Sequence, residues 1–166
     1  HEVRLVGSPL DGEIIDRLRV DRYHTTLRRT LHEGINYYKI DEVSEALKDT
    51  DLVVCGVSSF GVDWFADEIL PILDEEVPVL SVTKGMLNEE DGTLVTYPEY
   101  WERKLKKDSK LGIYAIGGPC TARDLSDHDQ SFVGFCGRDL EKLKWIRSLF
   151  ETDYYFISLT DDVVGL

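Results

Sequence analysis

The sequence predicts an α/β fold: a Rossmann-like, doubly wound, mostly parallel sheet with helices on both faces. Two observations carry this. Short apolar runs alternate with longer stretches of helical period along the 166 residues, which is the pattern of βαβ units. Several of those runs also end in glycine, serine or lysine, where the carboxyl ends of parallel strands form a ligand crevice.

The expected strands are EVRLV at 2–6, YYKI at 37–40, DLVVCGV at 51–57, VPVLSVT at 77–83, LGIYAIGG at 111–118, SFVGFCG at 131–137 and YYFISL at 154–159. Ser8 and Pro9, with Asp11 three residues after the serine, resemble an N-cap, a first-position proline and an acidic first-turn partner, so a helix is expected to begin there. Val62, Phe65, Ile69 and Leu73 recur at helical spacing, as do Leu143, Ile146 and Phe150, and each set gives a connecting helix an apolar stripe. Asp139 is placed to cap the helix from Leu140. Glu89, Glu90, Asp91 and Gly92 mark a solvated turn before TLVTYPEYWERKLKKD.

Composition narrows the class. The chain carries 32 acidic against 19 basic residues, a net charge of −13, and its longest basic run, Lys104 to Lys107, is broken by Leu105. A polyanion is repelled, so nucleic acid is not an expected partner. No apolar stretch approaches the roughly 20 residues that span a bilayer, and no signal peptide opens the chain, so a soluble, cytoplasmic protein without membrane insertion is expected. Cys55, Cys120 and Cys136 lack CxxC or Cys/His spacing, and His1, His24, His32 and His128 are scattered, so no structural metal is expected. One domain, residues 1–166, suits this length. The histidine start leading straight into a strand, and the TDDVVGL end in mid-pattern, read as a fragment of a longer chain.

Four segments are candidates for ligand chemistry. In SVTKG at 81–85, Lys84 at a strand end is either an ammonium placed beside phosphate or carbonyl oxygens or a plain surface lysine. In GGPCTARDL at 117–125, Gly117 and Gly118 leave room for a ligand against the backbone. Pro119 fixes the turn before a helix near Ala122, whose N–H groups are available to an anion. Cys120 has no histidine near it in sequence and reads as a packing residue. In VSSFGV at 57–62, Ser58 and Ser59 are small enough to admit a flat ligand and Phe60 offers a ring to it; alternatively Ser59 caps the next helix and Phe60 joins the core. Gly7 and Ser8 end the first strand where dinucleotide folds meet the adenosine ribose. Asp11 and Arg17 are both in reach, which leaves NAD and NADP equally open. The GxGxxG fingerprint is absent from the chain.

Taken in order and spacing, HEVRLVGS, VVCGVSSFGV, LSVTKG, IGGPCTARDL and DDVVG resemble the NAD(P)-dependent glycerol-3-phosphate dehydrogenase family nearly end to end. The resemblance implies the nucleotide-binding domain of a two-domain oxidoreductase of phospholipid precursor metabolism. Such an enzyme interconverts glycerol 3-phosphate, a phosphorylated small molecule, and dihydroxyacetone phosphate by hydride transfer. It also implies that Lys84 contacts substrate and cofactor, that Gly118 and Cys120 line the substrate site, that Ala122 meets the cofactor, and that Ser8 lies near the adenosine ribose. Relatives often carry serine or threonine where this chain has Cys120. They also carry a glycine fingerprint upstream and a helical domain downstream that supplies the catalytic lysine, so no catalytic base is expected up to Leu166. A homodimer is compatible with this reading. The alternative is a non-catalytic Rossmann-like module that senses a nucleotide or joins an assembly.

Overall fold

In the computed structural model, which describes residues 1–165, the chain falls into two units, His1–Thr50 and the residues from Asp51 onward. In the first unit β1 (Val3–Val6) and β4 (Ile35–Tyr38) pair in parallel, Val3 opposite Ile35 and Val6 opposite Tyr38. Their crossover consists of α1 (Gly12–Asp21), which buries Ile15 and Leu18, and a small hairpin of β2 (Tyr23–His24) and β3 (Arg29–Thr30). After β4 a 3-10 turn leads into α2 (Val43–Ala46).

Two boundaries in this unit differ from expectation. The helix begins at Gly12 and not at Pro9, because Asp11 accepts hydrogen bonds from both the amide (2.9 Å) and the hydroxyl (2.5 Å) of Ser8 and so closes a turn ahead of the helix. The strand expected at 37–40 runs from Ile35 to Tyr38. It stops there because the amide of Lys39 donates to the Glu42 carboxylate (2.7 Å) and is lost to the ladder.

The second unit opens with β5 (Val53–Cys55), followed by a continuous helical stretch: a 3-10 turn at Ser59–Gly61, α3 (Val62–Trp64), a π-helical turn at Phe65–Ile69 and a 3-10 turn at Leu70–Ile72. Val62, Phe65 and Ile69 are buried as their spacing predicts. Leu73 instead leaves the helix with extended backbone, since Pro71 has no N–H for the helical ladder. Then follow β6 (Val79–Ser81), a hairpin of β7 (Met86–Asn88) and β8 (Leu94–Thr96), α4 (Tyr97–Lys104), β9 (Ile113–Gly117), α5 (Ala122–Ser126), β10 (Ser131–Cys136), α6 (Leu140–Phe150) and β11 (Tyr155–Thr160). Thr96 and Glu99 form a reciprocal capping box at α4, and Asp139 caps α6.

Five of these strands form one sheet in the order β11-β10-β9-β6-β5. All neighbours are parallel except β9 and β10, which are antiparallel. The sheet is thus mostly parallel, as expected, and its one antiparallel link has a reason of length. A parallel return must retrace a strand, about 17 Å for the five residues of β9, whereas the five-residue α5 rises only about 7.5 Å. The eleven-residue α6 rises about 16 Å, and β10 and β11 are parallel. The core under this sheet is built from Leu80, Tyr114, Phe135, Leu143, Ile146 and Ile157. Beside it Trp101, fully buried, donates its indole N–H to the Val62 carbonyl (3.0 Å) and packs on Phe65 with ring centroids 4.9 Å apart. Among the described residues no helix is long and apolar enough to cross a membrane.

Candidate functional site

The register of the sheet lines up three strand tips. Cys55 of β5 lies opposite Ser81 of β6, and Ser81 lies opposite Ala115 of β9. Because these strands are parallel, the segments that leave them (56–60, 82–85 and 118–121) emerge on one rim, with neighbouring strands about 4.8 Å apart. Three of the four candidate segments therefore share a location.

Lys84 and Gly118 meet on that rim: the Lys84 ammonium donates to the Gly118 carbonyl. The same oxygen accepts the Cys120 amide at 3.1 Å. Lys84 is exposed, and no carboxylate pairs with it among the described residues. An ammonium has three N–H groups, so two remain for an anionic or carbonyl ligand. Gly85 follows at φ 138, where an added Cβ would stand 2.8 Å from the Tyr97 hydroxyl oxygen, so the sharp exit after Lys84 requires glycine. Gly118 sits at φ 111 with the backbone of Phe132 and Val133 only 3.2 Å from an added Cβ.

Cys120 is partly buried against the core cluster and directs its thiol toward the Thr121 carbonyl at 3.7 Å, a packing position. Thr121, which sequence reasoning passed over, is the N-cap of α5. Its hydroxyl accepts from the Asp124 amide (3.2 Å) and donates to the Asp124 carboxylate (2.6 Å). The Thr121 hydroxyl and the Thr121 amide (3.2 Å), both donating to it, hold the Asp124 carboxyl below its usual range. The T-x-x-D spacing is the signal that locates this cap. Ala122, exposed, is the first residue of α5.

On the 56–60 segment the structure corrects two expectations. Ser59 does not cap the following helix: it is the first residue of the 3-10 turn, and no side chain caps that turn or α3. Phe60 does not join the core; its side chain is 97% exposed. The turn directs it outward, closed by the Gly61 amide on the Ser58 carbonyl at 2.8 Å. The exposed ring beside Ser58 and Ser59 is suited to stacking on a flat partner.

Ser8 belongs to the first unit, at the end of β1. Gly7 before it donates its amide to the Tyr38 carbonyl at 2.9 Å and admits no Cβ, since one would fall 2.7 Å from Ile15. Asp11, engaged by Ser8, and Arg17, which binds Asp21 at 3.2 Å and lies 5.6 Å from the Tyr23 ring centroid, both have partners of their own. Neither separates NAD from NADP.

Titratable groups buried in the sheet are strongly shifted. Burial pushes the Cys55 thiol up to about 11 and the Tyr114 phenol up to about 12. Both are core groups, and neither is offered to a ligand.

Comparison with known proteins adds the following. Residues 1–136 match the family described as NAD-dependent glycerol-3-phosphate dehydrogenase N-terminus. An NADP(+)-dependent glycerol-3-phosphate dehydrogenase of Archaeoglobus fulgidus is 30% identical over 166 residues, covering 99% of this chain and 48% of that protein. A glycerol-3-phosphate dehydrogenase [NAD(P)+] of Streptococcus sanguinis is 27% identical, covering 100% and 47%. The crystal structure of a glycerol-3-phosphate dehydrogenase from Coxiella burnetii superposes with a TM-score of 0.79 at 15% identity, over 99% of this chain and 48% of that one. The chain thus spans about half the length of the curated relatives it matches.

Proposed function

The chain belongs to the family described as NAD-dependent glycerol-3-phosphate dehydrogenase N-terminus, and from that premise we propose that the polypeptide carrying it interconverts sn-glycerol 3-phosphate and dihydroxyacetone phosphate with NAD or NADP. In this reading residues 1–166 are the nucleotide-binding part of a longer two-domain chain. A cytoplasmic location and a homodimer go with it.

The observation that carries the proposal is the Lys84 ammonium fixed to the Gly118 carbonyl on the rim shared by β5, β6 and β9. Hydride transfer to a ketone builds negative charge on its oxygen, and a positioned cation stabilises that charge without moving. Lys84 fills this role and contacts the phosphorylated substrate, while Gly118 and Cys120 line the substrate's side of the rim. Ser58, Ser59 and Phe60 bound the cofactor's side together with Lys84 and Ala122; Ser8, at the end of β1 in the first unit, is a separate candidate for ribose contact. The fit rests on the exposed Phe60 ring and on an ammonium that has no carboxylate partner among the described residues. When bound, the nicotinamide gives or accepts the hydride. An ammonium only donates, so the alcohol proton needs a separate base, which this reading assigns to a part of the longer polypeptide outside these residues.

The test is the full-length polypeptide assayed for NADH or NADPH oxidation with dihydroxyacetone phosphate. Turnover with this ketone is expected. Nucleotide binding without turnover on it would favour a non-catalytic sensing module.

A further inference from the structure

We propose that Thr83 is a positioning residue, whose hydroxyl ties the 57–60 segment to the strand end that carries Lys84 and so sets both sides of the rim together. The inference rests on the reading of this rim as the nucleotide and substrate site.

The ladder between β5 and β6 ends where the Val82 amide donates to the Cys55 carbonyl at 2.9 Å. One step beyond, the connection passes to a side chain. The Thr83 hydroxyl, on a residue only 9% exposed, donates to the Val57 carbonyl at 2.6 Å. Thr83 is itself held: its amide donates to the Ser81 hydroxyl at 3.2 Å, and that hydroxyl donates to the Thr83 carbonyl at 3.3 Å, with Ser81 fully buried. Val57 is followed at once by Ser58, Ser59 and Phe60, and Thr83 by Lys84. The tie therefore lies one residue from each candidate ligand-binding segment. Without it, the Val57 carbonyl loses a buried partner and the segment loses its anchor to β6. Thr83 touches neither substrate nor cofactor in this scheme. It acts through Val57 and Lys84, by preorganisation.

The experiment uses the full-length protein and three substitutions. Thr83→Val removes the hydroxyl at nearly constant shape, Thr83→Ala removes it without overpacking, so that a folding failure of the first does not end the test, and Thr83→Ser keeps it. Thermal melts accompany each. The hydroxyl-free variants are expected to raise KM for NADH or NADPH about tenfold, equivalent to about 1.4 kcal/mol, with kcat changed less than about twofold, and to speed hydrogen exchange at the Gly61 amide. Thr83→Ser is expected to restore both to within about twofold. An unchanged KM and Gly61 exchange in the hydroxyl-free variants, or an equal loss in Thr83→Ser, would overturn the tie alone. An unaltered protein that binds no nucleotide would overturn the rim assignment and this inference with it.

Discussion

The ammonium of Lys84 and the carbonyl of Gly118 are hydrogen-bonded across the tips of two adjacent parallel strands. One residue is a mobile cation and the other the least encumbered backbone available, so their contact turns a strand end into a fixed positive charge. The glycine carbonyl also receives the Cys120 amide, so two donors hold it in place.

The conformation at Gly118 makes that residue irreplaceable. At φ 111 an alanine is strained, and its Cβ would meet the Phe132 carbonyl oxygen and the Val133 Cα at 3.2 Å, both backbone atoms of β10 that have little room to retreat. Gly118→Ala is expected to lower unfolding free energy by about 1–3 kcal/mol, read as a lower urea midpoint. Gly12→Ala is the contrasting case: its site is open and helical, and a gain of about 0.4–1 kcal/mol is expected.

Asp139 caps α6 by accepting the amides of Glu141 and Lys142, both at 3.0 Å. Asp139→Ala is expected to cost about 1 kcal/mol in a thermal melt, and Asp139→Asn, which keeps an accepting oxygen, much less. Equal losses in the two variants would point to the carboxylate charge and away from the cap.

Stability is expected to fall on the alkaline side. Burial raises the Cys55 thiol to about 11 and, with Asp139 adding to it, the Tyr114 phenol to about 12. Over the interval above the ordinary values, the folded chain keeps protons that the unfolded chain has released, so unfolding free energy decreases as pH rises. The contribution is full below about pH 8.5, the ordinary thiol value, and is lost as pH climbs through 11. Urea midpoints between pH 7 and 11 check the sign; a midpoint that rises over the alkaline part would contradict it.

Much of this architecture was legible because its signals are local. Leu143, Ile146 and Phe150 announce α6, Asp139 its start, and the apolar runs locate β5, β6, β9, β10 and β11 to within a few residues. Strand direction was not legible. An apolar run reads the same either way, and only the brevity of α5 reveals that β10 turns back on β9. Ser8, Pro9 and Asp11 have the composition of a helix start but form a turn, since one carboxylate serves either arrangement. The turn from Glu89 to Gly92 was visible, whereas β7 and β8, three residues each, are too short to show alternation. At the site, Lys84 and Gly118 follow from the rule that parallel strand ends face one crevice. The outward ring of Phe60 and the Thr83 tie do not, because an apolar residue after a strand and a threonine within one are ordinarily core.

The most direct measurement is the steady-state rate of the full-length enzyme carrying Lys84→Ala, with dihydroxyacetone phosphate and NADH or NADPH. If, as proposed, Lys84 stands at the developing oxyanion, its loss is expected to lower kcat/KM by about 100-fold or more, roughly 2.7 kcal/mol of transition-state stabilisation. A rate equal to that of the unaltered protein would place the chemistry elsewhere and remove Lys84 from it.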